Sequence, residues 1–391
     1  MDARSGGPAL SGLKILDLSM NLPGPYLTWL LACLGAEVVK VENPDGGDYA
    51  RSIGGEDGLG PRYFAAVNRN KKSLALNLKH PRGRAALLRL LASHDVLVEG
   101  FRPGAMERLG LGFAELSARQ PRLIQVSITG YGHQGPNRLR AGHDINYLAL
   151  AGVLGMTGTR AGELALPGVQ MADLFGGSLL ALAGLLAAVI QRGRTGRGQF
   201  VDAAMFDGSL SLATMIQAGV AAGLEEPRPG GMTLNGRYPC YGLYRCLGGG
   251  WMSLGALEPK FWANFCEAAE RPDLIPAQFG GPETIAELKR IFAGRSREDW
   301  TRILAGHDCC CEPVLDLKEA AASELARARG MLDQAGGSPG LLACPLKLSG
   351  SPNPASTPAP VLGRHSREVL LAGGLSAAEV DELTDLGVLG T

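Results

Sequence analysis

The residues most able to move protons stand in front of apolar stretches. His143 precedes an apolar helical run in the order Gly142-His143-Asp144-Ile145-Asn146-Tyr147, which places it at that helix's N-terminus. Asp173 precedes the uncharged run 174–190, where an N-cap Asp is expected. A helix N-terminus favours a carboxylate. His and Asp can each take and return a proton near neutral pH when their surroundings tune them. The free N–H groups at such a helix end can also receive a developing oxyanion, and the N–H of Asp144 is the first candidate. Taken one at a time, these residues have plainer roles. An Asp before a helix is usually a cap, and a lone His there is usually a satisfied loop residue.

Other chemistries lack their residues. The turn after the first expected strand reads Asn21-Leu22-Pro23-Gly24-Pro25, with no GxGxxG, so a nicotinamide or flavin fingerprint is missing. There is no GxxxxGK[ST] and no HExxH. The eight cysteines include the run Cys309-Cys310-Cys311 but no CxxC, which argues for reduced thiols in a cytoplasmic protein and against a zinc site. His80, His94, His133, His307 and His365 read as surface or loop residues. Arg192, Arg194 and Arg197 read as a solvated basic turn.

The elements that must position these groups alternate. Strands are expected at 14–20, 37–42, 73–78, 96–99, 123–129 and 199–202. Helices are expected at 26–34, 81–94, 106–119, 142–158 and 173–191. This alternation argues for an α/β fold, a Rossmann-like parallel sheet with helices on both faces. From about residue 227 the pattern changes to a hairpin, 238–245 with 251–255, followed by helices near 260–270, 283–293 and 297–304. That predicts a smaller α+β domain. The expected organisation is a large domain over 1–205, the small one over 225–325, and a return crossing with C-terminal helices over 326–391 that completes the large domain. The stretch 338–362, rich in Pro, Ser and Gly, reads as a surface crossing.

Of 391 residues, 38 are Lys or Arg and 38 are Asp or Glu. A formal charge of zero gives no electrostatic reason to expect nucleic acid or an anionic membrane as partner. The N-terminal residues are polar and do not read as a signal peptide. The uncharged runs 174–190 and 208–224 fall short of a spanning length and read as buried core helices.

An ordered set of segments resembles the family III CoA-transferase superfamily along nearly the whole chain. The set opens with Gly24-Pro25 and Leu34-Gly35-Ala36-Glu37-Val38-Val39-Lys40-Val41-Glu42. Asn68-Arg69-Asn70-Lys71-Lys72-Ser73, Phe101-Arg102-Pro103-Gly104 and Gly130-Tyr131-Gly132 follow. Next come the His143 segment, Ala172-Asp173-Leu174-Phe175-Gly176-Gly177 and Thr195-Gly196-Arg197-Gly198-Gln199, then Gly255-Ala256-Leu257-Glu258-Pro259 and Glu312-Pro313-Val314-Leu315. Within the superfamily, the segments carrying His143, Asp173 and Glu258 are similar to those of the alpha-methylacyl-CoA racemase branch. Two features depart from that branch: Asn43 stands where its members carry an Arg, and the loop 44–67 is longer and reads more like the transferases.

The resemblance implies a racemase or epimerase that inverts the α-carbon of 2-methyl-branched acyl-CoA thioesters through an enolate. It implies His143 and Asp173 as the two bases, with Glu258 fixing the tautomer of His143. Acyl-CoA is the implied substrate, and no metal or redox cofactor is called for. Asn43, Leu76, Lys79 and Arg108 are expected to meet the CoA moiety, with Arg102 as a further cation. Gly142, Asp144, Asn146 and Tyr147 are expected beside the acyl group, with Asp144 orienting Tyr147 or capping the helix. Leu148 and 238–244 are expected to shape the acyl pocket. The superfamily also implies an interlocked homodimer. Two other functions stay open. One is a CoA-transferase with Asp173 as nucleophile, which passes through a mixed anhydride. The other is a non-catalytic acyl-CoA-binding protein.

Overall fold

The structure is a computed structural model of the chain and describes residues 7–53, 61–333 and 340–390. Residues 1–6, 54–60, 334–339 and 391 lie outside it. These take in part of the N-terminal stretch, of the loop 44–67 and of the crossing 338–362.

Six parallel strands form the large sheet: β1 (Lys14–Asp17), β2 (Glu37–Glu42), β3 (Lys72–Leu76), β4 (Val96–Glu99), β5 (Ile124–Thr129) and β6 (Phe200–Ala204). Three antiparallel strands, β7 (Tyr241–Arg245), β8 (Trp251–Gly255) and β9 (Cys311–Pro313), form a separate sheet. A tenth strand, β10 (Leu389–Gly390), returns to pair antiparallel with β3. The large sheet therefore runs β10-β3-β2-β1-β4-β5-β6. The strand order reverses between the parallel neighbours β1 and β4, and the crevice beyond the carboxyl ends at such a switch point is where doubly wound folds hold ligands.

Sequence explains the strands. A parallel sheet covered on both faces reads as unbroken apolar runs, and Ile15, Leu16, Val38, Val39, Val96 and Leu97 are all buried. Among the described residues, five α-helices lie between the first strands: α1 (Pro23–Cys33), α2 (Arg62–Asn68), α3 (Pro81–Leu91), α4 (Ala105–Arg108) and α5 (Phe113–Arg119). Prolines open α1 and α3, where a missing N–H costs nothing. His80 also caps α3 by accepting the Arg82 N–H at 3.2 Å. The helix α6 (Asp144–Leu150) follows β5, and a π-helical stretch, Ala172–Leu179, runs into α7 (Leu180–Thr195). The helices α8 (Met205–Ser211) and α9 (Thr214–Ala221) follow β6. The chain divides into two compact units. The large one comprises 1–151, 169–211 and 325–391, and the second 152–168 and 212–324. The expected span 1–205 of the large domain is thus interrupted by 152–168.

The second unit has its own core. Tyr244 stacks on Phe292 with ring centroids 4.9 Å apart, and Trp262, Phe265 and Trp300 fill the space around them. The Tyr244 hydroxyl donates to the Pro239 carbonyl at 2.6 Å. Tyr244 is therefore core, not a wall of an acyl pocket, and Leu148 in the large unit is likewise fully buried. The helix α10 (Pro259–Ala268) opens at Glu258.

Four other expectations change. The run 208–224 breaks into α8 and α9, and α9 buries none of its residues within the chain. The run 174–190 lies in a continuous helix, Ala172–Thr195, long and apolar enough by composition to cross a membrane. Only 39% of its most apolar window is buried, so both runs expose apolar residues that a core helix would cover. Arg192 is not solvated; it is buried and pairs with Asp95 at 2.9 Å, which ties α7 to the start of β4. His94 is buried as well, with Nδ1 2.6 Å from the Leu90 carbonyl.

Candidate functional site

Beyond the carboxyl ends of the strands lie two cavities that share Phe101 as a wall. The first, about 350 Å³, is lined by Leu18, Val41, Asn43, Asp45, Leu76, Lys79, Phe101 and Leu109 among others. Three of the four residues expected to meet CoA, Asn43, Leu76 and Lys79, converge there. Leu76 is buried at the end of β3, while Asn43 and Lys79 are exposed at the rim. Arg108 is exposed on α4 and does not line the cavity.

The second cavity, about 410 Å³, is lined by Gly100, Phe101, Arg102, Gly130, Tyr131, Arg138, Arg140, Gly142, His143, Asn146, Tyr147 and Met205. His143 is the exposed N-cap of α6, as its place before an apolar run predicts. Its backbone N–H donates to Asn146 Oδ1 at 3.0 Å, so Asn146 closes the helix end. Sequence reasoning passed over Arg138 and Arg140. Their signal was the Arg-Leu-Arg run just before Gly142, which brings two cations beside Arg102.

Tyr147 is a wedge. Its ring sits so close to Gly130 and Gly142 that a Cβ at either would lie 2.5 Å or 2.7 Å from its edge. The hydroxyl donates to the Gly142 carbonyl at 2.6 Å, and Tyr131 meets the ring edge-on at 5.1 Å. Burial, then the charge of Asp173, pushes the phenol up to about 12. Tyr147 is thus a protonated strut that sets where His143 stands.

Asp173 does not cap a helix. It lies inside the first turn of the π-helical stretch, whose N-cap is Met171. Close helix crossing explains this local form. The backbone of Gly176 lies against Met205 and Gly208, and a Cβ on Gly208 would fall 2.2 Å from the Gly176 Cα. A π turn widens the helix where such contacts demand it, and these turns are frequent at functional sites. The Asp173 N–H donates to Asp144 Oδ1 at 3.0 Å. Asp144 therefore neither orients Tyr147 nor caps α6; it bolts the Asp173 turn to the start of α6. Burial, then the Asp144 charge, raises the Asp173 carboxyl to about 7.

Beneath the sheet end is a second acidic group that sequence reasoning passed over. Glu99 closes β4, is almost wholly buried, and accepts the Phe101 N–H at 2.8 Å. Burial raises it to about 7. It anchors the turn that carries the wall common to both cavities.

Glu258 belongs to the second unit. It is exposed at the start of α10, and its carboxylate takes no hydrogen bond among the described residues. No group of His, Cys, Asp and Glu suited to holding a metal occurs among the described residues.

The family model described as CoA-transferase family III matches residues 10–366. The chain belongs to CoA-transferase family III. It is 35% identical over 383 residues to alpha-methylacyl-CoA racemase of Homo sapiens, covering 96% of each chain. It is 33% identical over 375 residues to succinyl-CoA:glutarate CoA-transferase of Mus musculus, covering 92% of this chain and 85% of that one. Among solved structures, a CAIB/BAIF family protein from Brucella suis superposes with a TM-score of 0.81 at 29% identity, over 94% of this chain and all of that one. As a member of this family the chain is an enzyme, and racemase and transferase relatives stand at similar identity.

Proposed function

We propose that the protein is an acyl-CoA racemase that inverts the α-carbon of 2-methyl-branched acyl-CoA thioesters. The observation that carries this reading is the bolt between two titratable segments. Asp144, next to His143, holds the turn that carries Asp173, and the Asp173 carboxyl is raised to about 7. A group that titrates near working pH can both remove a proton and return one, which a two-base inversion demands of each partner.

In this reading the nucleotide of CoA lies along the β1–β3 cavity, against Leu76, with Asn43 and Lys79 at the rim. Arg102, Arg138 and Arg140 supply positive charge to its phosphates. The thioester reaches the N-terminus of α6, where the Asp144 N–H meets the developing enolate oxygen. His143 serves one face of the α-carbon and Asp173 the other. The chemistry is proton transfer with no redox change. The enzyme works as a homodimer in the cytoplasm, and the uncovered apolar residues of α9 support a partner copy.

Transferase chemistry is the second reading. Its support is the similarity to succinyl-CoA:glutarate CoA-transferase and the absence of an Arg at Asn43. One experiment separates the two. A 2-methylacyl-CoA is incubated with the enzyme in D2O without an acceptor and followed by proton NMR. Loss of the α-proton signal, with both epimers appearing, is expected. No exchange, together with CoA transfer to an added carboxylate and a hydroxylamine-trapped Asp173, would replace the racemase reading. A single-chain mass by light scattering at micromolar concentration would overturn the dimer.

A further inference from the structure

At a cavity that shares no wall with the two described above, two cysteines distant in sequence come together as lining residues. Cys33 is the last residue of α1 and is buried. Cys344 lies in the return crossing and is half-buried. Both line one small cavity of about 170 Å³, with Arg69, Asp333, Lys347 and Asn353 around them. Their side chains lie close enough there to influence each other's titration. Cys344 Sγ also stands 3.8 Å from the Leu346 carbonyl oxygen.

The crossing is fixed at this place by more than the thiols. Arg69, almost wholly buried, pairs with Asp333 and donates to the Leu342 carbonyl at 2.5 Å. The Ala343 N–H donates to Met331, and the Asp333 N–H to Leu341, both at 2.9 Å. The fold therefore holds both cysteines on the walls of one small cavity.

We propose that Cys33 and Cys344 form an oxidisable dithiol that takes a peroxide-class oxidant at Cys344 and closes to a disulfide, fastening the return crossing to α1. The division of labour follows from the setting. Cys344 is the more open of the two, and the Cys33 thiol first, then the Lys347 ammonium, draw its thiol down and favour the thiolate that attacks an oxidant. The neighbouring Cys344 and burial push the Cys33 thiol up and keep it protonated. In the first step the Cys344 thiolate attacks one peroxide oxygen. The O–O bond breaks, hydroxide leaves, and Cys344 becomes a sulfenic acid. In the second, the Cys33 sulfur attacks the Cys344 sulfur, the S–O bond breaks, and water leaves with the Cys33 proton. Two thiols are oxidised by two electrons and the peroxide is reduced to two waters. A low-molecular-weight thiol reverses the bond by exchange.

The test uses the full chain, reduced and desalted, then exposed to one equivalent of hydrogen peroxide at pH 7. Remaining thiols are alkylated and the protein is digested without reduction. The expected result is loss of two of the eight thiols and a linked peptide pair carrying Cys33 and Cys344. Dithiothreitol restores both. In Cys33→Ser the oxidation stops at a sulfenic acid on Cys344, trapped by dimedone. In Cys344→Ser the Cys33 thiol is not lost at the same dose. If the exposed Cys310 is consumed first while Cys344 stays reduced, the proposal falls. It falls equally if Cys344 passes to sulfinic acid with Cys33 still free. The peptide map of the unaltered chain decides the matter even where a variant does not fold.

Discussion

Asp17 and Asp173 are two carboxylates of the large unit withdrawn from water, and they titrate at opposite ends of the acidic range. Asp17, at the end of β1, is completely buried, which by itself would raise its pKa. Lys71, Lys40 and the hydroxyls of Ser19 and Thr28 outweigh that and hold it down at about 2. Lys71 in turn gives its protons to Asp17 at 3.2 Å, Thr28 at 2.7 Å and Asn68 at 2.8 Å. Lys40 pairs with Asp48 at 2.9 Å, all four groups being buried. Among the described residues no cation plays that part around Asp173, and the charge that bears on it is that of Asp144. Burial alone therefore does not fix the state of a carboxylate; the sign of its partner does. The region around Asp17 is a closed knot of charge that holds strands together. The region around Asp173 is left uncompensated, which is what a proton-transfer group requires.

The largest test breaks the active half. Asp173→Asn and His143→Ala should each lower α-proton exchange of a 2-methylacyl-CoA by about 10³-fold, the scale of a lost general acid or base. Deuterium incorporation from D2O measures it. If both variants keep full exchange, Asp173 is no more a catalytic group than Asp17, and the contrast is structural only. The companion test breaks the structural half. Lys71→Met leaves Asp17 buried beside a missing cation and should cost about 3–5 kcal/mol in urea unfolding at pH 7. A cost below about 1 kcal/mol, the range of an exposed pair, would mean that Lys40 alone satisfies the knot.

A smaller effect sharpens the comparison. Asp144→Asn keeps an oxygen to accept the Asp173 N–H but removes the like charge. Loss of that repulsion lowers the Asp173 pKa, so the limb of the pH–rate profile that belongs to Asp173 should move to lower pH. Lys71→Arg, which keeps the opposite region's charge, should leave that limb in place. An unmoved limb in Asp144→Asn would assign the whole rise in Asp173 to burial.

How much of this the sequence could show follows from range. The strands were legible because a doubly covered parallel sheet writes itself as short apolar runs, and β2 falls at the expected 37–42. The position of His143 was legible because an apolar run after a polar residue is a local signal. The π turn at Asp173 was not, since its cause is a contact between Gly176 and Gly208 from another helix. Nor was the role of Asp144, whose partner is the backbone N–H of Asp173. Strand β10 was missed because two residues carry no periodicity, and its pairing with β3 closes only at the end of the chain. Arg192 reads as a solvated turn in sequence because the Asp95 that buries it lies on another element.

The smallest effect is on stability, and its sign separates the two aspartates. The Asp173 carboxyl is raised from 3.8 to about 7 by folding. Below 3.8 both states hold the proton and folding pays nothing. Between 3.8 and 7 the unfolded chain releases its proton while the folded one keeps it, so stability falls as pH rises; above 7 the penalty is complete. Asp173→Asn removes that penalty. The variant should be more stable than the parent by a margin that grows from pH 4 to 7 and is flat above it. The full shift corresponds to about 4 kcal/mol at 1.36 kcal/mol per pKa unit. Because the side chain is only partly buried, solvent screening reduces the expected gain to roughly 1–2 kcal/mol. Asp17→Asn should show the reverse, a loss already present at neutral pH that fades only as pH falls toward 2, where the parent carboxyl itself takes a proton. Urea unfolding at pH 5 and pH 8 separates the two: the Asp173→Asn margin should differ between them and the Asp17→Asn loss should not. If Asp173→Asn gives the same margin at the two pH values, its carboxyl is not held near 7, and the electrostatic argument for its part in proton transfer falls with it.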